Sequence, residues 1–562
     1  MTHFRSVPIL ALLLGAPAAL PAQGPGGPPP EVRAAQAQLQ AGHADSAVAT
    51  LEAFLARTPQ AVTGRLLLGH AYKSLGKLPQ ALAAYMAITR PRPLVAQARV
   101  AAAGVHALMG QKDDAFRLLM TVKGDGTYDM DAVDTLRDLA SLKADPRFAG
   151  LHYQPADFTN PFVEPVRILH EWRGEAKNDQ YSWIARGIGD VDGDKVTDIV
   201  TSAPTHGNTA TNPGNGRVYV YSGKSGTLLW TWDGAEQEQA GTNLEGAGDV
   251  NADGIPDVIA AAPGSGTAYV LDGRRGRVLL TLKGQDGEGF GGGASGAGDQ
   301  DGDGHADLLV GAPQASGTGQ GAGKAYLFSG ADGHVLHIMD GEKAGDGFGS
   351  VVMGQPLGKG TPFLVSAATG GPEQHGRVYV YAGPRQLPSY VIDADSGGAA
   401  MGAMFTSFVG DVDGDRVADV FASDFAHGAR GPSTGRIVVR SGATGRTLLT
   451  LTGEHAGDGF GIGQAEAGDV NADGHADLVI GAWQYSAVAP SGGRIYVYSG
   501  KDGALLRTIT GRIPGETLGF DATGIGDVDG DGVPDMLVTS SWSNIHGFRS
   551  GRMYVIAGER SR

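Results

Sequence analysis

The sequence predicts a multidomain fold, α followed by all-β: a helical repeat segment, then a seven-bladed β-propeller whose blades carry acidic loops. Three observations predict it. Near residue 155 an Ala/Leu-rich pattern gives way to short β-branched and aromatic runs set between Gly/Asp clusters. An Asp-rich nonapeptide begins at Asp190, Asp249, Asp299, Asp411, Asp469 and Asp527. A strand-like run such as Arg217-Val218-Tyr219-Val220-Tyr221 recurs seven times, at 217, 268, 325, 377, 436, 494 and 552.

Size and charge bound the rest. A chain of 562 residues has length for two or more cores. Its 91 glycines are more than twice the usual share of about 7% and follow no collagen triplet, which indicates many tight turns. The net charge of -16 with no Lys/Arg stripe argues against nucleic acid or an anionic membrane and for cations as partners. Without cysteine there is no disulfide, thiolate metal site, thiol nucleophile or lipid-attachment cysteine.

The N-terminus places Arg5 before an apolar stretch at 7–14 and small residues ending Ala18-Ala19-Leu20-Pro21-Ala22, the layout of a cleaved signal peptide over 1–22. The apolar core is far shorter than the ~20 residues that span a bilayer. Export to a secreted, periplasmic or cell-surface location is therefore expected. Residues 23–30 form a Pro/Gly linker.

From 31 to 150 the chain reads as helical repeats. Gly42, Gly76 and Gly110 share one 34-residue phase, and Ala47, Ala81 and Ala115 another. The middle copy, with Leu68-Gly69, Tyr72, Ala81, Tyr85 and Pro93, resembles the tetratricopeptide repeat, whose small residues let paired helices approach; the third copy departs from it, with Ala102-Ala103 in place of Leu-Gly. Three copies suffice for a stacked core, and 131–142 is expected to cap them as a further helix. An Ala-rich bundle with accidental spacing is the competing reading; either is an α-helical adaptor for a protein partner.

The second domain is expected over 160–562. Its last copy lacks a fourth strand, whereas 166–172 precedes the first loop as an orphan strand, so the ring closes by pairing the two. Radial blades leave only short protected edges. The paired motifs Phe290-Gly291 and Gly311-Ala312-Pro313, their order and their sevenfold count resemble the FG-GAP repeats of integrin alpha-chain propellers. The resemblance implies the propeller fold and, less specifically, adhesion.

Each acidic loop offers oxygen donors at positions 1, 3, 5 and 9. They are Asp190, Asp192, Asp194 and Asp198; Asp249, Asn251, Asp253 and Asp257; Asp299, Asp301, Asp303 and Asp307. The later blades contribute Asp411, Asp413, Asp415 and Asp419; Asp469, Asn471, Asp473 and Asp477; Asp527, Asp529, Asp531 and Asp535. A wound loop converges such hard donors on one cation, with a carbonyl and water completing the shell. Calcium fits best, because magnesium demands stricter octahedral geometry and soft metals lack thiolates here. Six Ca²⁺ would bring the charge from -16 to -4. Plain Asx turns would account for one loop, but not for four phased donors repeated six times. Lys195 and Arg416 stand at position 6, where Gly is easier, so those two sites are expected to be weaker or differently shaped. Blade four aligns Gln355, Leu357, Lys359 and Phe363 at the donor positions, and no metal is expected there; Lys359 reads as a solvated lysine or as a built-in cation at the vacant site.

No active site emerges, and the chain is expected not to be an enzyme. Gly431-Pro432-Ser433-Thr434-Gly435 matches the nucleophile-elbow string but precedes a strand rather than a helix. Gly223-Lys224-Ser225 lacks the upstream glycine of a phosphate loop. His305 and His475 occupy position 7 of acidic loops. The loops between second and third strands, on the face opposite the acidic loops, carry Phe425, Trp483, Tyr485 and Trp542, typical contact anchors if exposed and interblade packing if not. These features predict an exported calcium-binding module that engages a protein or glycan, as in adhesion. A propeller-based hydrolase or lyase and a periplasmic assembly scaffold are the alternatives.

Overall fold

The computed structural model describes residues 28–90, 92–209, 211–355, 358–383 and 387–560; the signal-peptide reading of 1–22 lies outside them. Contacts divide the chain after Thr159 into two units.

The first unit contains α1 (Pro30–Gln40), α2 (Ala44–Arg57), α3 (Val62–Ser74), α4 (Leu78–Met86), α5 (Arg92–Leu108) and α6 (Lys112–Asp125). The phased glycines sit inside each helical pair: Gly42, Gly76 and Gly110 adopt φ of 80°, 69° and 77°, the left-handed turn that reverses the chain at least cost without a Cβ. Gly69 serves packing instead, since a Cβ there would lie 2.3 Å from the Tyr85 ring. In the third pair Ala102 and Ala103 are fully buried.

The expected capping helix at 131–142 is not formed. Leu136 is extended at ψ 115°, which splits the segment into 3-10 turns Met130–Thr135 and Arg137–Leu142, followed by Pro146–Leu151 and Pro155–Phe158. Short apolar spacing allows either helix type, and here burial of Met130, Val133, Leu139, Leu142 and Leu151 in one core decides the path.

The second unit is seven antiparallel sheets. Blade one shows the plan, from axis to rim: strand A Ala185–Gly189, strand B Asp198–Ala203, strand C Arg217–Tyr221 and strand D Leu228–Asp233. Strand B is buried at every residue because neighbouring blades cover both faces, so its sequence reads as a continuous apolar run; strand D is partly exposed along its length. Blade six interrupts strand A, with Phe460–Ile462 and Glu466–Gly468 both pairing the same strand B.

Closure follows the expected scheme. Ile168–Arg173 pairs antiparallel with Arg552–Ile556, matching Glu171 with Tyr554 and Trp172 with Met553. The first and last strands of the unit thus complete one sheet, and the ring has no free blade edge at its seam.

Candidate metal centres and ligand face

The acidic loops join strands A and B, all on one face. Their shape comes from carboxylates accepting backbone N–H groups. In blade one Asp190 accepts from Gly193 (2.6 Å), Asp194 (3.1 Å) and Lys195 (2.8 Å), while Asp194 accepts from Val196 (2.9 Å). Asp198, the first residue of strand B, accepts from Val191 and Asp192 with one oxygen and from Gly223, in the C–D hairpin, with the other at 3.0 Å. The hairpin bond recurs from Asp257 to Gly273, Asp307 to Gly330, Asp419 to Gly442, Asp477 to Gly500 and Asp535 to Gly558. At Gly500 an added Cβ would lie 1.8 Å from the Ala476 carbonyl, so only glycine permits this approach.

These bonds gather the acids. In four loops three carboxylates bring ligand atoms within 4.8 Å of one another: Asp190/Asp192/Asp194, Asp299/Asp301/Asp303, Asp411/Asp413/Asp419 and Asp527/Asp529/Asp535. In the other two, Asn251 and Asn471 take the role of Asp192: their carbonyl oxygens accept from Asp253 and Asp473 at 2.9 Å, against 3.0 Å for Asp192 and Asp194. Burial pushes the position 9 acids upward, Asp198 and Asp419 to about 6 and Asp257 to about 7. A cluster of hard, partly dehydrated anions fits a calcium-sized cation.

Position 6 is left-handed as the sequence implies, and Lys195 and Arg416 adopt it at φ of 71° and 69°. Their N–H groups reach Asp190 and Asp411 at 2.8 Å, the distance of Gly254 to Asp249, so the expected difference in backbone shape is absent. Position 4 is left-handed too, including Ala252 and Ala472.

Neighbouring loops are linked. His305 donates through Nδ1 to the Val250 carbonyl (2.7 Å) and His475 to that of Val412 (2.8 Å), while the Ala306 and Ala476 N–H groups bond the Asp249 and Asp411 carbonyls. Blade four is built differently. Phe363, at position 9, is buried and stacks on Tyr381 with centroids 4.9 Å apart; Leu357 lies outside the described residues. Lys359 is neither merely solvated nor at a vacant site, because the chain here runs beside the blade-three loop and places Nζ 2.9 Å from Asp299 Oδ2. Arg167, which sequence reasoning passed over, reaches Asp529 and Asp531 at 2.5 and 2.8 Å from the closing strand.

On the opposite face the four aromatics do not form an exposed set. Trp483 and Tyr485 are buried, and Phe425 and Trp542 are half-buried. Trp483 packs edge-on against Trp542 (5.2 Å) and Phe520 (5.6 Å), and Trp183 joins Phe520 at 4.8 Å. Tyr485 accepts from Arg494 at 2.9 Å under its guanidinium. The reason is the ring itself: these residues follow strand B, near the axis, where adjacent blades crowd them. Arg549 stacks over Trp542 at 4.4 Å, a contact no local pattern reveals. The segment 431–435 is a loop leading into strand Arg436–Arg440, and 223–225 is the hairpin before Leu228.

Comparison with known proteins agrees with this geometry. The FG-GAP repeat model matches residues 187–221, 242–280 and 291–328, and the FG-GAP-like repeat model matches 469–538. Integrin alpha-4 of Xenopus laevis is 28% identical over 214 residues, 34% of this chain and 20% of that protein. Integrin alpha-7 of Homo sapiens is 32% identical over 128 residues, 22% and 10% of the two chains, and integrin alpha-3 of Mus musculus 37% over 89 residues, 14% and 8%. The similarity covers a fifth or less of these relatives' length.

Proposed function

We propose that this integrin alpha-like FG-GAP propeller is an exported calcium-binding module that holds a protein or glycan ligand on the face opposite its acidic loops, as a binding protein rather than an enzyme. The preceding helices, read as tetratricopeptide-like, dock a protein partner. The observation that carries the calcium reading is the contrast among blades: six A–B connections carry phased oxygen donors, four of them with three carboxylates gathered within 4.8 Å, while blade four forms the same four-stranded sheet without them. A blade therefore does not need the acids to fold.

The residues that would hold the ion are positions 1, 3, 5 and 9 of each loop, from Asp190 through Asp535. Bound calcium would neutralise carboxylates that otherwise repel one another, tying strands A and B together. The position 9 carboxylate extends that tie to the C–D hairpin through its second oxygen. Half-buried Trp542 and Phe425 remain the aromatic surface on the opposite face. Among the described residues no helix is long and apolar enough to cross a membrane.

Protein and glycan arrays probed with the full chain, in calcium and in chelator, test this reading. A calcium-dependent ligand whose binding falls on Trp542→Ala supports it. Calorimetry showing no calcium uptake overturns it.

A further inference from the structure

The sevenfold repeat offers an internal control for the axis of the ring. Residues the fold requires recur in every blade, so a departure without a structural partner calls for another explanation. Opposite the residue that follows loop position 9, strand A presents Gly187, Gly246, Gly296, Met353, Phe408, Glu466 and Gly524 in blades one to seven. Four blades use glycine there and one uses an acid.

That acid lines a cavity of about 480 Å³ on the axis, within the size range of small-molecule sites. Its mouth includes Gly189, Gly248, Gln355 and Gly410, at the acidic-loop ends of the A strands. Its lining carries a polar brace: Glu245 accepts from Arg186 Nε and from Gln464 Nε2, both at 2.7 Å, so blade six reaches across to blade two. Arg186 also pairs with buried Asp521, and Ser407 donates to the Gln464 carbonyl at 2.5 Å.

Glu466 stands outside that brace. No described residue donates a hydrogen bond to its carboxylate or pairs with it; the side chain is exposed to the cavity, and the surrounding walls still desolvate it enough to raise its pKa. The lining holds one guanidinium, that of Arg186, against the carboxylates of Glu245 and Glu466, and Arg186 is also paired with Asp521 behind it. The same wall offers the Phe408 ring, the Met353 thioether and the space beside Gly246, where an added Cβ would meet only Ile188 at 3.9 Å.

We infer that the axial cavity is a binding site for an organic cation, a primary ammonium or guanidinium on an unbranched stem, with Glu466 as its counter-ion. The cationic head pairs with Glu466 and the stem lies along Phe408 and Met353, where ring and sulfur tolerate both charge and methylene. Arg186 and Gln464 both bond Glu245 Oε1 and hold that carboxylate in the wall, whereas Glu466 has no described partner and is left for the ligand. The site is separate from the ligand face proposed above and does not depend on it.

Titration calorimetry on the full chain, with calcium saturating and moderate salt present, tests the site with cadaverine as probe. Cadaverine is expected to bind the wild-type chain, and Glu466→Gln to weaken it by about tenfold or more. Glu466→Gly, the residue of four other blades, is expected to do the same, and both variants to melt no lower than wild type because an unpaired acid has been removed. A peptide with a single lysine, titrated in parallel, separates a free amine from a partner's side chain as the source; Glu466-dependent binding of either supports the site. Absence of binding by both probes, or equal binding by the wild-type chain and a folded Glu466 variant, overturns it.

Discussion

Blades three and four are neighbours with the same four-stranded topology, yet their A–B turns are made in different ways. In blade three Asp299, Asp301 and Asp303 converge, and Asp307 ties the start of strand B to Gly330. In blade four the position of Asp307 is taken by Phe363, which stacks on Tyr381 and joins a hydrophobic cluster. Carboxylate bonding and aromatic packing are thus interchangeable ways to hold the turn. Six blades nevertheless keep the electrostatically costly version, a choice that the proposed calcium ions would make stabilising.

The broadest test of this contrast is ion removal. Chelator is expected to lower the melting temperature of the propeller strongly, since each site would contribute about 2.7 kcal/mol at a hundredfold excess of ion over its dissociation constant. An unchanged melt would mean that all seven turns hold themselves, as blade four's does. Next, Phe363→Ala is expected to cost about 3–5 kcal/mol through loss of a buried ring, with the same penalty in calcium and in chelator. Urea midpoints in both buffers check this; a penalty confined to calcium would place the residue in an ion site. Gly500→Ala in blade six is expected to cost about 1–3 kcal/mol, because its Cβ would meet the Ala476 carbonyl. Native-like stability of that variant would show that the hairpin can move away from Asp477. The smallest effect belongs to Lys359→Ala, whose own side chain is 71% exposed although its partner Asp299 is buried. About 1 kcal/mol or less of stability should change, while calcium affinity at one site rises, as fluorescence titration with terbium would detect.

Much of this architecture is legible in the sequence because it is local. Strand positions, the seven blades, the closing strand and the phased donors all depend on residues within about a dozen positions, repeated until accident is excluded. The left-handed turns at Gly42, Gly76 and Gly110 are of the same kind. What escaped is set by ring geometry. The sequence left Trp483 and Tyr485 open between contact anchors and interblade packing; both are buried, Trp483 against Phe520 and Trp542 of the next blade and Tyr485 against Arg494 and His455. Lys359 touches the loop of another blade, Arg167 reaches the blade-seven loop from the far end of the domain's sequence, and 131–142 breaks into 3-10 turns because its apolar residues follow the surface they pack on.

The sequence by itself determined the order of helices and blades, the closure and the donor residues, since each is a short pattern whose hydrogen-bond and steric needs are met by neighbours in the chain. Only the tertiary structure decided which blade each charged side chain serves, which aromatics stay open to solvent, and that one carboxylate faces the axis without a partner. Those outcomes depend on closing seven sheets into a ring, which brings Gln464 to Glu245 across 219 positions of sequence, a proximity no local pattern encodes.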